Sequence, residues 1–480
     1  MNDGRTVGVG ACREAAYPER APFDPGESYP ELGGIASAGA GPNAVYDAVR
    51  EALRHAGLDG DHLGTEAWDP LGDLIVPGMR VLLKPNLSFH ENRGPGGADC
   101  LVTHGSVVRA VLDFVLRALD GRGEVWIADA PDAHCDFARA LAVSGIGAVV
   151  GDARRRTSVA IRVVDLRRVV IEEAGAGKPG VRRELRGDPN GFVPMDLGER
   201  SLLAPLDRAS DRYRATGRVA AASSAHHAHG RHEYLISRTA LVADAFVNFP
   251  KLRTHGSTGM GCALENLTGI SGDSGRLPHH RAGAPAEGGD AYCEPSRRRA
   301  ALSRIEAELD ATAPGLRRAT LEATRRALLA TTRVVAFDDT YSEGAWWGND
   351  TAWRTVLDLN RAVIWARDGG TWVDERRPWL NVVDAVVCGE GDGPLAPSAA
   401  AAGCVLAGTD AAMVDLACAR MSGFDVARLP VVQRAFDAMD FPVTRHRPED
   451  LVVVPALPSA PLRPSAGWAG HLESGALADR

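Results

Sequence analysis

Residues 105–134 read GSVVRAVLDFVLRALDGRGEVWIADAPDAH. Apolar positions in the first half recur at helical spacing, so an amphipathic helix is expected from Gly105 until Gly121 and Gly123 stop it. The run that follows, VWIAD, has the length of a strand and ends in a carboxylate. Upstream, PGMRVLLKPNL (77–87) is a turn, a second short strand and a polar terminus. Strand, helix, strand in this order predicts a parallel α/β unit. Ligands gather at the carboxyl ends of such strands, where Lys84, Asn86 and Asp129 sit.

The same grammar extends along the chain. AVYDAVREALRHAG (44–57) reads as a helix, and ALVADAFVNFP (240–250), RVVAFDDTY (333–341) and NVVDAVVCGEGDGP (381–394) read as strands. GCVLAGTDAAMVDLACARMSGFD (403–425) is a strand, a turn and a helix carrying Asp415. We therefore expect an α/β protein of two interleaved lobes, with mostly parallel sheets and a cleft between them. The boundaries are an irregular segment over 1–42, an N-terminal lobe over 43–150 and an irregular charged insertion over 151–239. A C-terminal lobe covers 240–455 with a helical insertion at 297–330, and a mobile Pro/Ala-rich tail covers 456–480.

The chain has 480 residues and a net charge of −8. Without a basic excess, nucleic acid is not an expected partner. No apolar run reaches membrane-spanning length, and the first twenty residues hold no apolar core of a secretory signal. A cytoplasmic location follows as the expectation. The eight cysteines form no C-x-x-C pair, so reduced thiols and no iron–sulfur cluster are expected.

Several clusters could carry chemistry. Residues 246–269, FVNFPKLRTHGSTGMGCALENLTG, end a strand in Lys251, Arg253, Thr254 and His255, followed by a glycine-loosened loop and Asn266. Backbone N–H groups freed by such glycines suit an anion. AHHAHGRHEY brings His229, His232 and Glu233 together as candidate ligands of a divalent metal, with a polar loop as the plain alternative. LPHHRAG adds His279, His280 and Arg281, and Asp290 follows. SEGAWWGNDTAWR (342–354) packs Glu343, Trp346, Asn349, Asp350 and Arg354 closely, which suits a sugar ring and its acidic group, or else a packing turn. GEGDGP places Glu390 among glycines. Dinucleotide, P-loop and nucleophile-elbow motifs are absent from the sequence.

Taken together, VLLKPNL, VTHGSVVRAVLDFVL, WIADAP, the 246–269 stretch, VVDAVVCGEGDGPLAP and AGTDAAMVDLACARMSGFD resemble the DUF362 family, a domain of unknown function. The resemblance spans roughly residues 75–430. It implies that Lys84, Asn86, Lys251, Thr254, His255, Asn266, Glu390 and Asp415 match family positions. The family often has lysines where this chain has Arg253 and Glu265; Glu265 reverses the charge. Many relatives also carry a ferredoxin-like cysteine segment that this chain lacks. GRHEYLIS, LPHHRAG and GNDTAWRTVLDLNR are similar to a subgroup found in surface-polysaccharide or specialised-metabolite contexts.

The expected function is a cytoplasmic biosynthetic enzyme acting on an anionic, polyhydroxylated small molecule. Isomerase, lyase or hydrolase chemistry would run through His255, His279, His280, Lys251 and Glu343. Lys84, Asn86, Thr254, Asn266, Arg281, Asp290, Trp346, Asn349, Asp350, Arg354 and Glu390 would bind the substrate. Neutral-range imidazoles suit proton transfer. The alternatives are a non-catalytic ligand-binding or scaffold protein and a metal-dependent redox enzyme. A homo-oligomer is compatible with each.

Overall fold

The structure is a computed structural model that describes residues 3–39, 41–172, 181–215, 225–312, 315–330 and 341–473. Most of the strand expected over 333–341 lies outside the described residues.

Ten strands form one sheet. They are β1 (Thr6–Ala11), β2 (Arg80–Pro85), β3 (Glu124–Asp129), β4 (Ala160–Asp165), β5 (Ala245–Phe249), β6 (Lys251–His255), β7 (Gly259–Gly261), β8 (Trp379–Asp392), β9 (Ala396–Gly408) and β10 (Val452–Val454). The order along the sheet is β10-β1-β9-β8-β5-β2-β3-β4, with β6 pairing to β8 beyond the end of β5 and β7 pairing to β6. Strands β8, β5, β2, β3 and β4 are parallel to one another. Strand β9 runs antiparallel to both β8 and β1.

Side chains alternate across this sheet and build a core on each face. Val81, Leu83, Val125 and Ile127 pack with α1 (Ala44–His55), α2 (Gly105–Leu119) and α3 (Ile146–Arg156). Leu82, Trp126 and Phe246 face the other way, into the core that holds α4 (Ala352–Trp365) and α5 (Ala411–Met421). The architecture is therefore α/β, a mostly parallel sheet between helical layers. The expected interleaving takes place inside this one sheet. The N-terminal β1 pairs with β9 and β10, and β5 inserts between β2 and β8.

Three expected boundaries are corrected. The segment 1–42 supplies β1. Its glycines mark close packing rather than a loop: a Cβ at Gly10 would lie 1.8 Å from the Ala48 carbonyl oxygen of α1. Residues 151–239 supply the end of α3, strand β4 and a hairpin pairing Arg231–Ser237 with Phe192–Asp196. Charged residues on the exposed face of β4 hid its alternation in the sequence. The tail packs through at least residue 473, with Leu462, Trp468 and Leu472 buried.

Candidate functional site

A cavity of about 220 Å³ opens at the carboxyl ends of β2, β3 and β6. Of the residues singled out in the sequence, Lys84, Asn86, His255, Asn266 and His279 line it. Asp129, Arg253 and Glu265 line it with them.

The floor is a closed polar network. Lys84 Nζ donates to Asp129 Oδ1 (2.7 Å), Asn266 Oδ1 (3.1 Å) and the Pro85 carbonyl (3.1 Å), so its three protons are used. Asn266 donates to Asn248 Oδ1 (2.7 Å), the residue in register with Lys84 on the neighbouring strand. Asn86 receives the Ser88 hydroxyl (2.8 Å). Lys84 therefore fixes the floor, while the ligand-facing groups lie on β6 and the turn after it.

His255 ends β6, and the backbone N–H groups of Ser257 (3.2 Å) and Thr258 (3.3 Å) both point at its Nδ1. Two donors on one ring nitrogen fix it as the acceptor, so the proton of the neutral ring sits on Nε2. That nitrogen faces Glu265 Oε1 at 3.6 Å. Burial lowers the His255 pKa and Arg253 adds to this, against the pull of Glu265. Burial alone would raise the Glu265 carboxyl. His255, Arg253 and Lys84 outweigh it and hold the group below its ordinary value.

Arg253 is almost fully buried. Its Nη1 donates to Ser88 Oγ (2.6 Å) and the Leu101 carbonyl (3.1 Å), while Nη2 stands 3.6 Å from Glu265 Oε2. Its Nε has no hydrogen-bond partner. A buried guanidinium with an unused donor is a ready partner for an oxyanion. His279 donates Nδ1–H to the Leu277 carbonyl (2.9 Å), which leaves Nε2 as the basic nitrogen. Burial pushes its pKa down to about 4. It is therefore a neutral imidazole at ordinary pH.

The other expected site residues are not brought to this cavity. Lys251 is fully buried and paired with Asp384 Oδ2 (3.0 Å) and the Tyr17 hydroxyl (2.6 Å). A shift in strand pairing between Lys251 and Arg253 separates the two cations that sequence spacing groups together. Thr254 alternates to the far side and donates to the Gly391 carbonyl (2.9 Å). Glu390 holds the tail, accepting from the Arg463 N–H (3.0 Å). His280, next to His279 in an extended stretch, points away from it and meets Glu343 at 3.5 Å.

The Trp-rich segment is a packing knot. Asp290 accepts from Thr351 Oγ1 (2.6 Å) and Arg281 (3.2 Å), and its carbonyl takes the Trp346 indole N–H (2.8 Å). Asn349 Oδ1 accepts from the N–H groups of Thr351 and Ala352 (both 2.9 Å) at the start of α4. Arg354 forks onto Asp350 (3.0 Å to each oxygen). These polar groups satisfy one another. Nor do the candidate metal ligands converge. Alternation along the strand sends His232 toward Asp207 (3.1 Å), while Glu233 is taken by Arg231 (2.6 Å) and Arg276 (2.7 Å). His229 sits on the turn with positive φ. Among the described residues no group of three or more His, Cys, Asp or Glu side chains is placed to hold a metal ion.

The sequence reading missed the roles of Arg253 and Glu265. Both stood in the stretch it singled out, but Glu265 was set aside for its sign. It also missed the cavity-lining His134, whose Nδ1 lies 3.1 Å from Asp132 Oδ1. The signal was a strand end reading D-A-P-D-A-H.

No curated protein matches the chain. A family model described as "Domain of unknown function (DUF362)" matches residues 81–175 and 212–420. The matched segments carry the strand ends and the turn that form the cavity. With well over half of its length matched, this chain belongs to the DUF362 family.

Proposed function

We propose that the protein is an enzyme that binds a small hydroxylated molecule bearing an anionic group and moves a proton on it in this cavity. The observation that carries the reading is the meeting of a neutral His279, the His255–Glu265 pair and the under-used Arg253 around one space. His279 Nε2 accepts a proton from the substrate. Arg253 stabilises the negative charge that develops, in a buried setting where such stabilisation is strongest. His255 holds its proton at Nε2, between Glu265 and the cavity, and returns one. Serine and asparagine side chains on the walls suit hydroxyl groups. Isomerisation, elimination and hydrolysis all use these parts. All eight cysteines are free thiols, in keeping with a biosynthetic role in a reducing compartment.

Thermal denaturation with uronic, aldonic and 2-oxo acids, each beside its neutral counterpart, tests the binding half. At least one acid should stabilise the wild-type protein more than its neutral partner does. Arg253→Gln should weaken that acid about tenfold or more, the worth of a hydrogen bond to a charged group. Equal stabilisation by acid and neutral partner, or an unchanged affinity in the variant, would contradict the reading.

A further inference from the structure

The C-terminal segment, which sequence composition marks as mobile, is bound to the same turn that carries His255. The Gly391 N–H donates to the Arg463 carbonyl (2.8 Å), and the Trp347 N–H donates to the Gly467 carbonyl (3.1 Å). His471 stacks on Trp347 with centroids 4.4 Å apart. At the centre, Trp468 is buried and its indole N–H donates to the Gly256 carbonyl at 2.5 Å. A Cβ at Gly259 would lie 3.1 Å from two carbons of the Trp468 ring, so the turn rests directly on that ring.

The Gly256 carbonyl and the Ser257 N–H belong to one planar peptide unit. In a trans peptide the two groups point in opposite directions. Holding the oxygen on Trp468 therefore aims the N–H at His255 Nδ1, where it is found at 3.2 Å. The Gly256 N–H, donating to the Gly393 carbonyl (3.1 Å), holds the preceding peptide in the same way.

We propose that Trp468 is a positioning residue: by pinning the Gly256–Ser257 peptide, it sets the tautomer of His255 and keeps the Nε2 proton facing Glu265. This rests on the reading of His255 as a proton carrier, but the tautomer itself can be read without any substrate. The tail is then part of the site's construction.

Nitrogen-15 NMR of histidine-labelled full-length protein tests this, with the His255 signals assigned by comparison with His255→Asn. In the wild type, Nδ1 should carry the signal of an unprotonated ring nitrogen and Nε2 that of a protonated one. Trp468→Phe keeps a ring but removes the donor. The ratio of the two tautomers should then fall about tenfold, the order of one hydrogen bond, and His255 should titrate at higher pH because a donor that favoured the neutral ring is gone. A wild-type His255 protonated at Nδ1 would overturn the proposal whatever the variant does. So would a folded Trp468→Phe protein whose His255 signals and titration are unchanged. If the tautomer shifts as expected while the wild type acts on no acid, the functional reading fails and the positioning role stands.

Discussion

His104 shows what burial does to an imidazole in this protein. Its Nδ1 accepts the Ser106 N–H (3.2 Å) at the start of α2, and its ring stacks on Tyr17 with centroids 4.1 Å apart. Burial pushes its pKa down to about 4, with Asp384 opposing and Lys251 adding. The unfolded chain binds a proton near pH 6.5 that the folded protein refuses until about pH 4. Stability from this group is therefore complete above about pH 6.5 and lost as pH falls toward 4, by roughly 3 kcal/mol. Asparagine is a strong helix N-cap with no titrating proton. His104→Asn should stay folded and lose less stability than the wild type between pH 7 and pH 4.5 in urea unfolding. An identical pH slope in the two proteins would contradict the assignment. His279 shifts in the same direction, so both imidazoles are neutral for a physical reason the sequence could not display. A histidine's letter says nothing about its burial, and two lysine-like positions two residues apart looked equivalent until a shift in strand pairing separated Lys251 from Arg253.

At the level of elements, the site depends on a short turn of 3₁₀ helix, Glu265–Ile270, lying against the ends of β2 and β3. The approach is close. The Gly269 carbonyl accepts the Ala130 N–H (2.8 Å), and a Cβ at Gly269 would lie 2.1 Å from Asp129 Oδ1 and 2.7 Å from Lys84 Nζ. Gly269→Ala should break the Lys84–Asp129 pair and lower stability by about 3 kcal/mol or more, combining overpacking with a disrupted buried ion pair. Chemical denaturation checks this, and a stability within about 0.5 kcal/mol of the wild type would contradict it. The strands and helices themselves were largely legible. Their apolar periods marked β2, α2, β3, β5 and α5, and the polar residues at the strand ends marked the site. The elements that escaped were those whose signal was diluted. Strand β1 carries glycines demanded by α1, and β4 carries charges on its solvent face.

Over the whole molecule, one sheet gathers distant parts of the chain. The N-terminal strand pairs with β9 and β10, and the tail returns to brace the turn behind His255. That long-range closure is why the Trp-rich segment and the histidine-rich run, the most conspicuous stretches of the sequence, turned out to be packed and paired away from the cavity. Conspicuous composition reports local density of polar groups, whereas a site needs groups that remain under-used after folding. Arg253 Nε and His279 Nε2 meet that condition at the cavity wall in different ways, one as an unpaired donor and the other as the basic nitrogen of a neutral ring. The central claim is that these groups move a proton on a bound acid. The most direct measurement is incorporation of solvent deuterium at carbon, followed by proton NMR, for the acid that best stabilises the wild-type protein. The account predicts exchange by the wild type at pH 5 as well as pH 8, because His279 stays unprotonated down to about pH 4, and a loss of at least about a hundredfold in His279→Asn. Exchange that persists in the variant, or a tightly bound acid that exchanges no proton with the wild type, would contradict it.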